Sequence, residues 1–102
     1  MLDPQDFKDH AVPVIDWIDH YLKRLRSFPV KSLSQPGEIY RQIPERPPLQ
    51  ADSLDSLLQD MEEVILPGMT HWQHPNFHAY FPANHSVESI LAEFLTSAMG
   101  AQ

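Results

Sequence analysis

The sequence contains no cysteine, which excludes disulfide bonds and thiolate zinc sites. It also has no apolar run near the roughly 20 residues that a membrane-spanning helix needs. Basic residues are scarce: seven Lys and Arg stand against 14 Asp and Glu, for a formal charge of −7. Such a charge repels phosphate backbones and anionic lipids. The composition therefore predicts a protein that binds neither nucleic acid nor membranes.

The remaining composition fits one small folded domain. Apolar residues make up 42% of the 102 residues, which separates the sequence from disordered chains. A chain of this length buries only a modest share of its surface. The first residues lack the basic start and hydrophobic centre of a signal peptide. We therefore expect a cytoplasmic protein with a limited core.

Three segments show the apolar spacing of amphipathic helices. Each begins at residues that commonly cap a helix N-terminus, namely Asp3 with Pro4, Asp52 or Ser53, and Ser86. We predict helices at about residues 4–26, 53–66 and 86–99. A long helix cannot bury its apolar face alone, so a partner helix, a second subunit or another domain is expected to cover it.

Ten prolines punctuate these segments. Pro13 lies inside the first helix and predicts a kink about one turn earlier, or a later helix start, because its ring removes a helical hydrogen bond at a cost of about 3 kcal/mol. Residues 28–50 are proline-rich and are predicted to form an ordered arm. Pro75 and Pro82 favour extended backbone in the residues before them. The predicted fold is all-α, with three helices joined by a proline-rich arm and an extended aromatic segment.

Four of the six histidines lie between the second and third helices, at His71, His74, His78 and His85. Imidazole is a common metal ligand, and spacings of three and four suit one face of a helix. Pro75 argues against a helix there, and the segment offers no Asp or Glu as a further ligand. Histidines that line a pocket or hold the structure are therefore favoured over a metal site, and no metal ligand is predicted.

No pattern in the sequence predicts a catalytic group. His85, Ser86 and Glu88 include the residue types of a nucleophile, a base and an acid, but neighbours in sequence do not thereby share the geometry of a triad. No Gly-x-Ser-x-Gly motif is present. Helix capping explains Ser86 better.

The order of residues around the aromatic segment resembles a known enzyme family. The sequence reads PGMTHW at residues 67–72, HPNF at 74–77 and AYFP at 79–82, followed by the third helix. These residues and their spacing are similar to the N-terminal segment of the group II pyridoxal-phosphate decarboxylases. Among these, the aromatic-L-amino-acid decarboxylases are the most similar. The resemblance is strongest over residues 54–100.

The resemblance implies a lyase of fold type I, larger than this chain, that converts an L-amino acid, expected to be aromatic, to its amine and CO₂. The chain would be the N-terminal dimerisation segment of a homodimer and would contact the remainder of the decarboxylase chain. It would also form a wall of the substrate pocket, in which the matching family positions are Trp72, Tyr80, Phe81, Pro82 and Ala83. Many animal relatives have threonine in place of Ala83, so one polar contact is expected to be missing.

The implied cofactor is pyridoxal 5′-phosphate, which needs a lysine for covalent attachment. The only lysines are Lys8, Lys23 and Lys31, and nothing in their predicted surroundings indicates a desolvated amine. We therefore expect the cofactor to be bound by a domain absent from this chain, with no catalytic or cofactor-binding residue here. Two alternatives stay open: a stand-alone helical dimerisation module without catalysis, and a histidine-rich metal-binding helical domain.

Overall fold

The computed structural model describes residues 2–80 and 85–100. It has three α-helices: α1 at Phe7–Arg24, α2 at Leu54–Asp60 and α3 at Val87–Met99. Shorter helical turns adjoin them or lie in the arm, at Pro4–Asp6, Leu25–Ser27, Tyr40–Gln42, Met61–Ile65 and Leu66–Gly68. The described residues include no strand, so the prediction of an all-α fold with three helices is confirmed. Within those residues no helix combines the length and apolarity needed to span a membrane.

The predicted capping residues begin the helical segments. The side chains of Asp3, Ser53 and Ser86 each accept a hydrogen bond from a backbone N–H two or three residues later, at 2.9, 3.1 and 3.2 Å. Of the two candidates before α2, the cap is therefore Ser53. Gly100 ends α3 with a φ of +58°, a left-handed conformation that glycine adopts without steric cost. These side-chain bonds satisfy backbone groups that have no partner within a helix.

Pro13 lies within α1, and the helix runs through it. The predicted alternative of a later start is therefore wrong, because α1 begins at Phe7. The proline leaves the carbonyl of Asp9 without its usual helical donor, at a cost of about 3 kcal/mol. Packing of the C-terminal half of α1 against other rings, notably through Trp17 and Tyr21, offsets that cost.

We call α2 together with the two helical turns that follow it, residues 54–68, the α2 segment. The arm between α1 and α2 folds back onto the end of this segment. The hydroxyls of Ser32 and Ser34 both donate to the carbonyl of Pro67, at 2.7 and 3.3 Å. Ile39 lies directly under Gly68, where an added Cβ would come within 2.9 Å of its side chain. These contacts order the arm at its start and around Ile39.

The apolar faces of the helices remain largely uncovered. Leu66 is the one buried apolar residue that the described part of the chain contains. Leu57 and Met61, on the apolar face of the α2 segment, are 49% and 39% exposed. In α3 every residue except Ile90 is exposed, although the ring of Phe94 lies 5.9 Å from that of Phe7. The described residues therefore leave much of the apolar surface of the helices exposed.

Candidate functional site

Four rings pack in series where α1, the arm and the segment after α2 meet. We call Trp17, Tyr21, Phe28 and His71 the His71 cluster. Successive ring centroids lie 5.6, 5.8 and 4.8 Å apart in that order, and each pair is stacked. Trp17 and Tyr21 are four residues apart on α1, so they lie on the same face of the helix. The cluster therefore joins three parts of the chain that are distant in sequence.

His71 is held by its side chain and by its backbone. Its Nδ1 shares a hydrogen bond of 2.9 Å with the hydroxyl of Tyr21, and its backbone N–H donates to the carbonyl of Val30 at 2.9 Å. The residue is 4% exposed. Burial lowers the pKa of His71, and the positive charge that His74 can carry lowers it further. A neutral imidazole is therefore the form that this site favours.

An ion pair closes one side of the His71 cluster. The guanidinium carbon of Arg24 lies 5.2 Å from the centroid of the Phe28 ring, within the range of a cation–π contact. The same guanidinium donates to both carboxylate oxygens of Glu62, at 2.6 and 3.1 Å. This bidentate bond lowers the pKa of Glu62 and raises the pKa of Arg24. Trp17 Nε1 is buried without a hydrogen bond of standard geometry within the described chain, although the indole also lowers the pKa of Glu62.

The chain after His71 folds into two consecutive turns. The N–H of His74 donates to the carbonyl of His71 at 3.0 Å, and the N–H of Phe77 donates to that of His74 at 2.9 Å. His74 Nδ1 accepts a further bond from the N–H of Asn76 at 3.0 Å. The segment is therefore turned rather than extended as predicted. Pro75 takes the second position of the later turn, where its fixed φ is favourable, so the proline favours a reversal.

Beyond His71, three further rings form a second group, which we call the Trp72 stack: Trp72, Phe77 and Tyr80. The Trp72 centroid lies 5.0 Å from that of Phe77 and 5.7 Å from that of Tyr80, and the Tyr80 ring is within 9° of parallel. Trp72 is 46% exposed and Tyr80 is 82% exposed. A flat aromatic surface is therefore presented outward.

Tyr80 has a φ of +58°, and it is the only residue other than glycine with a positive φ in the described part of the chain. The expectation of extended backbone at this position is wrong, because the steric effect of Pro82 acts only on the residue directly before it. A left-handed conformation is unfavourable for a bulky side chain. Such strain persists only where surrounding contacts maintain it, and it is concentrated at functional sites.

The structure brings together two of the five predicted pocket residues, Trp72 and Tyr80. The other three, Phe81, Pro82 and Ala83, lie outside the described residues. Phe77 and Tyr21 were not predicted as part of the site. For Tyr21 the available signal was its phenol, which needs a hydrogen-bond partner if it is buried. For Phe77 the sequence offered no comparable signal.

The described residues do not fit the attachment of pyridoxal phosphate. Lys8, Lys23 and Lys31 are all exposed, and Lys23 is paired with Asp19 at 2.7 Å. None has the desolvated surroundings that lower the pKa of an attacking amine. Across residues 2–80 and 85–100, no group of three or more His, Asp or Glu side chains is placed to hold a metal ion.

The chain is similar in sequence to proteins of a known family. Residues 36–102 match the family model described as the pyridoxal-dependent decarboxylase conserved domain. L-tyrosine/L-DOPA decarboxylase 2 of Lophophora williamsii is 38% identical over 96 residues, which are 94% of this chain and 18% of that protein.

Two solved structures are similar in fold and in sequence. The 4-hydroxyphenylacetaldehyde synthase of Rhodiola rosea matches with a TM-score of 0.91 and 38% identity, over 97% of this chain and 21% of that one. The tryptophan decarboxylase of Catharanthus roseus in complex with L-tryptophan matches with a TM-score of 0.90 and 37% identity, over the same shares. The chain thus spans about a fifth of the length of the relatives that it matches.

Proposed function

The chain belongs to the pyridoxal-dependent decarboxylase family, and we propose that it is the N-terminal segment of an enzyme that converts an aromatic L-amino acid to its amine and CO₂. The observation that carries the proposal is the Trp72 stack, in which Trp72 and Tyr80 are stacked on each other yet remain exposed. Large exposed rings at a strained backbone position are typical of a surface that receives a ligand. An aromatic side chain of a substrate is the ligand that such a surface fits best.

The role of this segment in that reaction is binding and orientation. Trp72 and Tyr80 offer nearly parallel faces, and offset stacking on such a face stabilises a bound ring by about 0.5–1.5 kcal/mol beyond the area that is buried. A closed aromatic surface also excludes water from the reacting groups. We place Phe81, Pro82 and Ala83 in the same pocket wall on the resemblance alone.

The cofactor of the family supplies an electron sink for the bond that breaks. Because the lysines of this chain do not fit its attachment, we place pyridoxal phosphate on residues of the full-length enzyme outside this segment. No catalytic residue is assigned to the segment. Its side chains would bind the substrate ring and close the pocket around it.

We further propose that the exposed apolar surface is covered by a second copy of the enzyme and by the remainder of the chain. The support is the open face of α3 together with a groove between α1 and α3. That groove encloses about 390 Å³, and its lining, which includes Phe7, Val14 and Phe94, is almost entirely apolar. Sedimentation of the full-length enzyme tests the homodimer, and a monomer at micromolar concentration would contradict it. The acidic, cysteine-free composition supports a cytoplasmic location, which a fluorescent fusion would test.

The decisive experiment assays the full-length enzyme, supplied with pyridoxal phosphate, on L-tyrosine, L-DOPA, L-tryptophan and L-phenylalanine. We expect CO₂ release from at least one of them. Trp72→Ala should raise KM about tenfold, because a stacking face is lost. Leu33→Ala is the control, since Leu33 is 79% exposed in the arm and its removal should leave KM unchanged. A wild-type enzyme that releases CO₂ from none of the four amino acids would overturn the proposal.

The alternative product is an aldehyde, because one similar structure is that of an aldehyde synthase. The similarity of the chain to that enzyme and to tryptophan decarboxylase is nearly equal, at 38% and 37% identity. The same assay distinguishes the two reactions by its product. An amine supports the proposal, whereas an aldehyde would overturn it in favour of the synthase.

A further inference from the structure

The two groups of rings meet at a single peptide bond, between His71 and Trp72. His71 is 4% exposed and belongs to the first group, whereas Trp72 is 46% exposed and begins the second. The stacking partners of Trp72 are Phe77 and Tyr80, which lie in the same short segment, so these ring contacts are local. The orientation of the Trp72 stack relative to the rest of the chain therefore depends strongly on how His71 is fixed.

His71 is fixed from three directions. The hydroxyl of Tyr21 on α1 bonds its Nδ1, the Phe28 ring of the arm stacks on its imidazole, and Val30 accepts its backbone N–H. Its own carbonyl then accepts the N–H that closes the turn around Trp72. The imidazole–phenol bond is the only side-chain hydrogen bond among these contacts. It is directional, so it sets the rotation of the imidazole as well as its position.

We infer that Tyr21 and His71 are positioning residues for the substrate pocket: their hydrogen bond fixes the backbone from which Trp72 projects, and so orients the aromatic surface that receives the substrate. This inference rests on the proposed function and adds to it two residues that touch no substrate. Its consequence is a change in substrate affinity that is larger than the change in turnover when the bond is removed, because the pair acts through binding geometry.

The test uses Tyr21→Phe in the full-length enzyme. This variant keeps the ring that stacks between Trp17 and Phe28 and removes only the hydroxyl. We expect KM for the preferred aromatic amino acid to rise about fivefold, with kcat changed less than about twofold. Tyr40→Phe is the matched control, because Tyr40 lies in the arm and is 80% exposed. Its KM and kcat should equal those of the wild type.

A second readout does not require activity. Hydrogen exchange of the backbone amides of His74 and Phe77 reports opening of the two turns, and exchange of the His71 amide reports loss of its bond to Val30. In Tyr21→Phe these amides should exchange about tenfold faster, while the amides of α3 should not change. Exchange in Tyr40→Phe should match the wild type throughout.

Substitution of His71 adds a rescue test. Asparagine places a hydrogen-bonding atom close to the position of Nδ1, whereas leucine fills similar space without one. His71→Asn should therefore keep KM closer to the wild-type value than His71→Leu does. Equal KM values for the two variants would show that shape rather than the hydrogen bond matters, and would overturn the inference.

The outcomes separate the inference from the function on which it rests. Unchanged KM and unchanged exchange in Tyr21→Phe would overturn the inference while the enzyme remains a decarboxylase. Faster exchange with an unchanged KM would also overturn it, because the pair would then be structural only. A wild-type enzyme that decarboxylates no aromatic amino acid would overturn the proposed function and the assignment of these residues to its pocket, and exchange would still report whether the bond holds the turns.

Discussion

The His71 cluster and the Trp72 stack are neighbours in the chain but differ in how their rings are held. In the cluster, rings from α1, the arm and the segment after α2 are brought together, and the hydroxyl of Tyr21 shares a hydrogen bond with Nδ1 of His71. In the stack, all three rings come from nine consecutive residues, and Trp72 and Tyr80 are exposed while Phe77 is half-buried. Long-range contacts thus join the rings of the first group, whereas the ring contacts within the second group are local.

This difference teaches that aromatic content by itself does not identify a site. The imidazole of His71 and the indole of Trp72 follow one another in the sequence, yet the first is used for packing and the second is left available. What separates them is burial, because His71 is 4% exposed and Trp72 is 46% exposed. Because His71 anchors the segment, the exposed Trp72 can contact a partner without loss of the contacts that stabilise the fold.

The largest effect is expected from removing a ring of the His71 cluster. Phe28→Ala deletes the ring that stacks on both Tyr21 and His71 and lies beneath Arg24. Because Phe28 is partly exposed, we expect the opening free energy of the turns after His71 to fall by about 2–3 kcal/mol, somewhat below the range for fully buried rings. Hydrogen exchange in the full-length enzyme measures this. Leu33→Ala, in the same arm, should change this opening free energy by less than about 0.5 kcal/mol. Equal losses in the two variants would show that the Phe28 ring stabilises the turns no more than an exposed arm residue does.

A smaller effect is expected from pH, because it acts through one group of the cluster. Burial lowers the pKa of folded His71, so the opened form binds the proton more tightly. The contribution of His71 to the opening free energy of the turns is therefore fully present above the ordinary histidine pKa of about 6.5. It is lost as the pH falls through the lowered pKa of folded His71. Besides Tyr21, the titratable or charged groups near the imidazole are His74 and the Arg24–Glu62 pair, and the pair already neutralises its own charges.

The measurement is the opening free energy of the same turns between pH 5 and pH 8, with intrinsic exchange rates corrected. His71→Asn should flatten the dependence, since asparagine does not titrate. His78→Gln is the control, because His78 is exposed and lies outside the His71 cluster, and this variant should show the same dependence as the wild type. A slope that survives in His71→Asn would assign the effect to another group.

The sequence predicted the helices well and the site only in part. Capping residues such as Ser53 and Ser86 are local signals, and the structure uses both. The bond between Tyr21 and His71 joins residues 50 positions apart, and no local pattern could reveal it. The turns after His71 were missed because Pro75 is compatible with extended backbone before it and with a reversal after it. Contacts of this segment with the rest of the chain determine which of the two conformations forms.

The smallest effect on stability is expected in the Trp72 stack, from Tyr80→Gly. Glycine relieves a left-handed φ that costs a bulky residue about 1–2 kcal/mol, and it loses a ring contact with Trp72 that contributes a similar amount. The two terms oppose each other, so the opening free energy should change by less than about 1 kcal/mol. KM for an aromatic substrate should nevertheless rise, because the outward face is gone.

Tyr40→Gly is the matched control for this substitution. Tyr40 is 80% exposed, against 82% for Tyr80, but it begins a helical turn rather than adopting a positive φ. Glycine there relieves no strain and adds backbone freedom, so it should cost about 0.5–1 kcal/mol and leave KM unchanged. If Tyr80→Gly destabilises its segment more than Tyr40→Gly destabilises the arm, the ring of Tyr80 is a structural element. The contrast between an anchoring cluster and an available stack would then be lost, since both groups would hold the chain together.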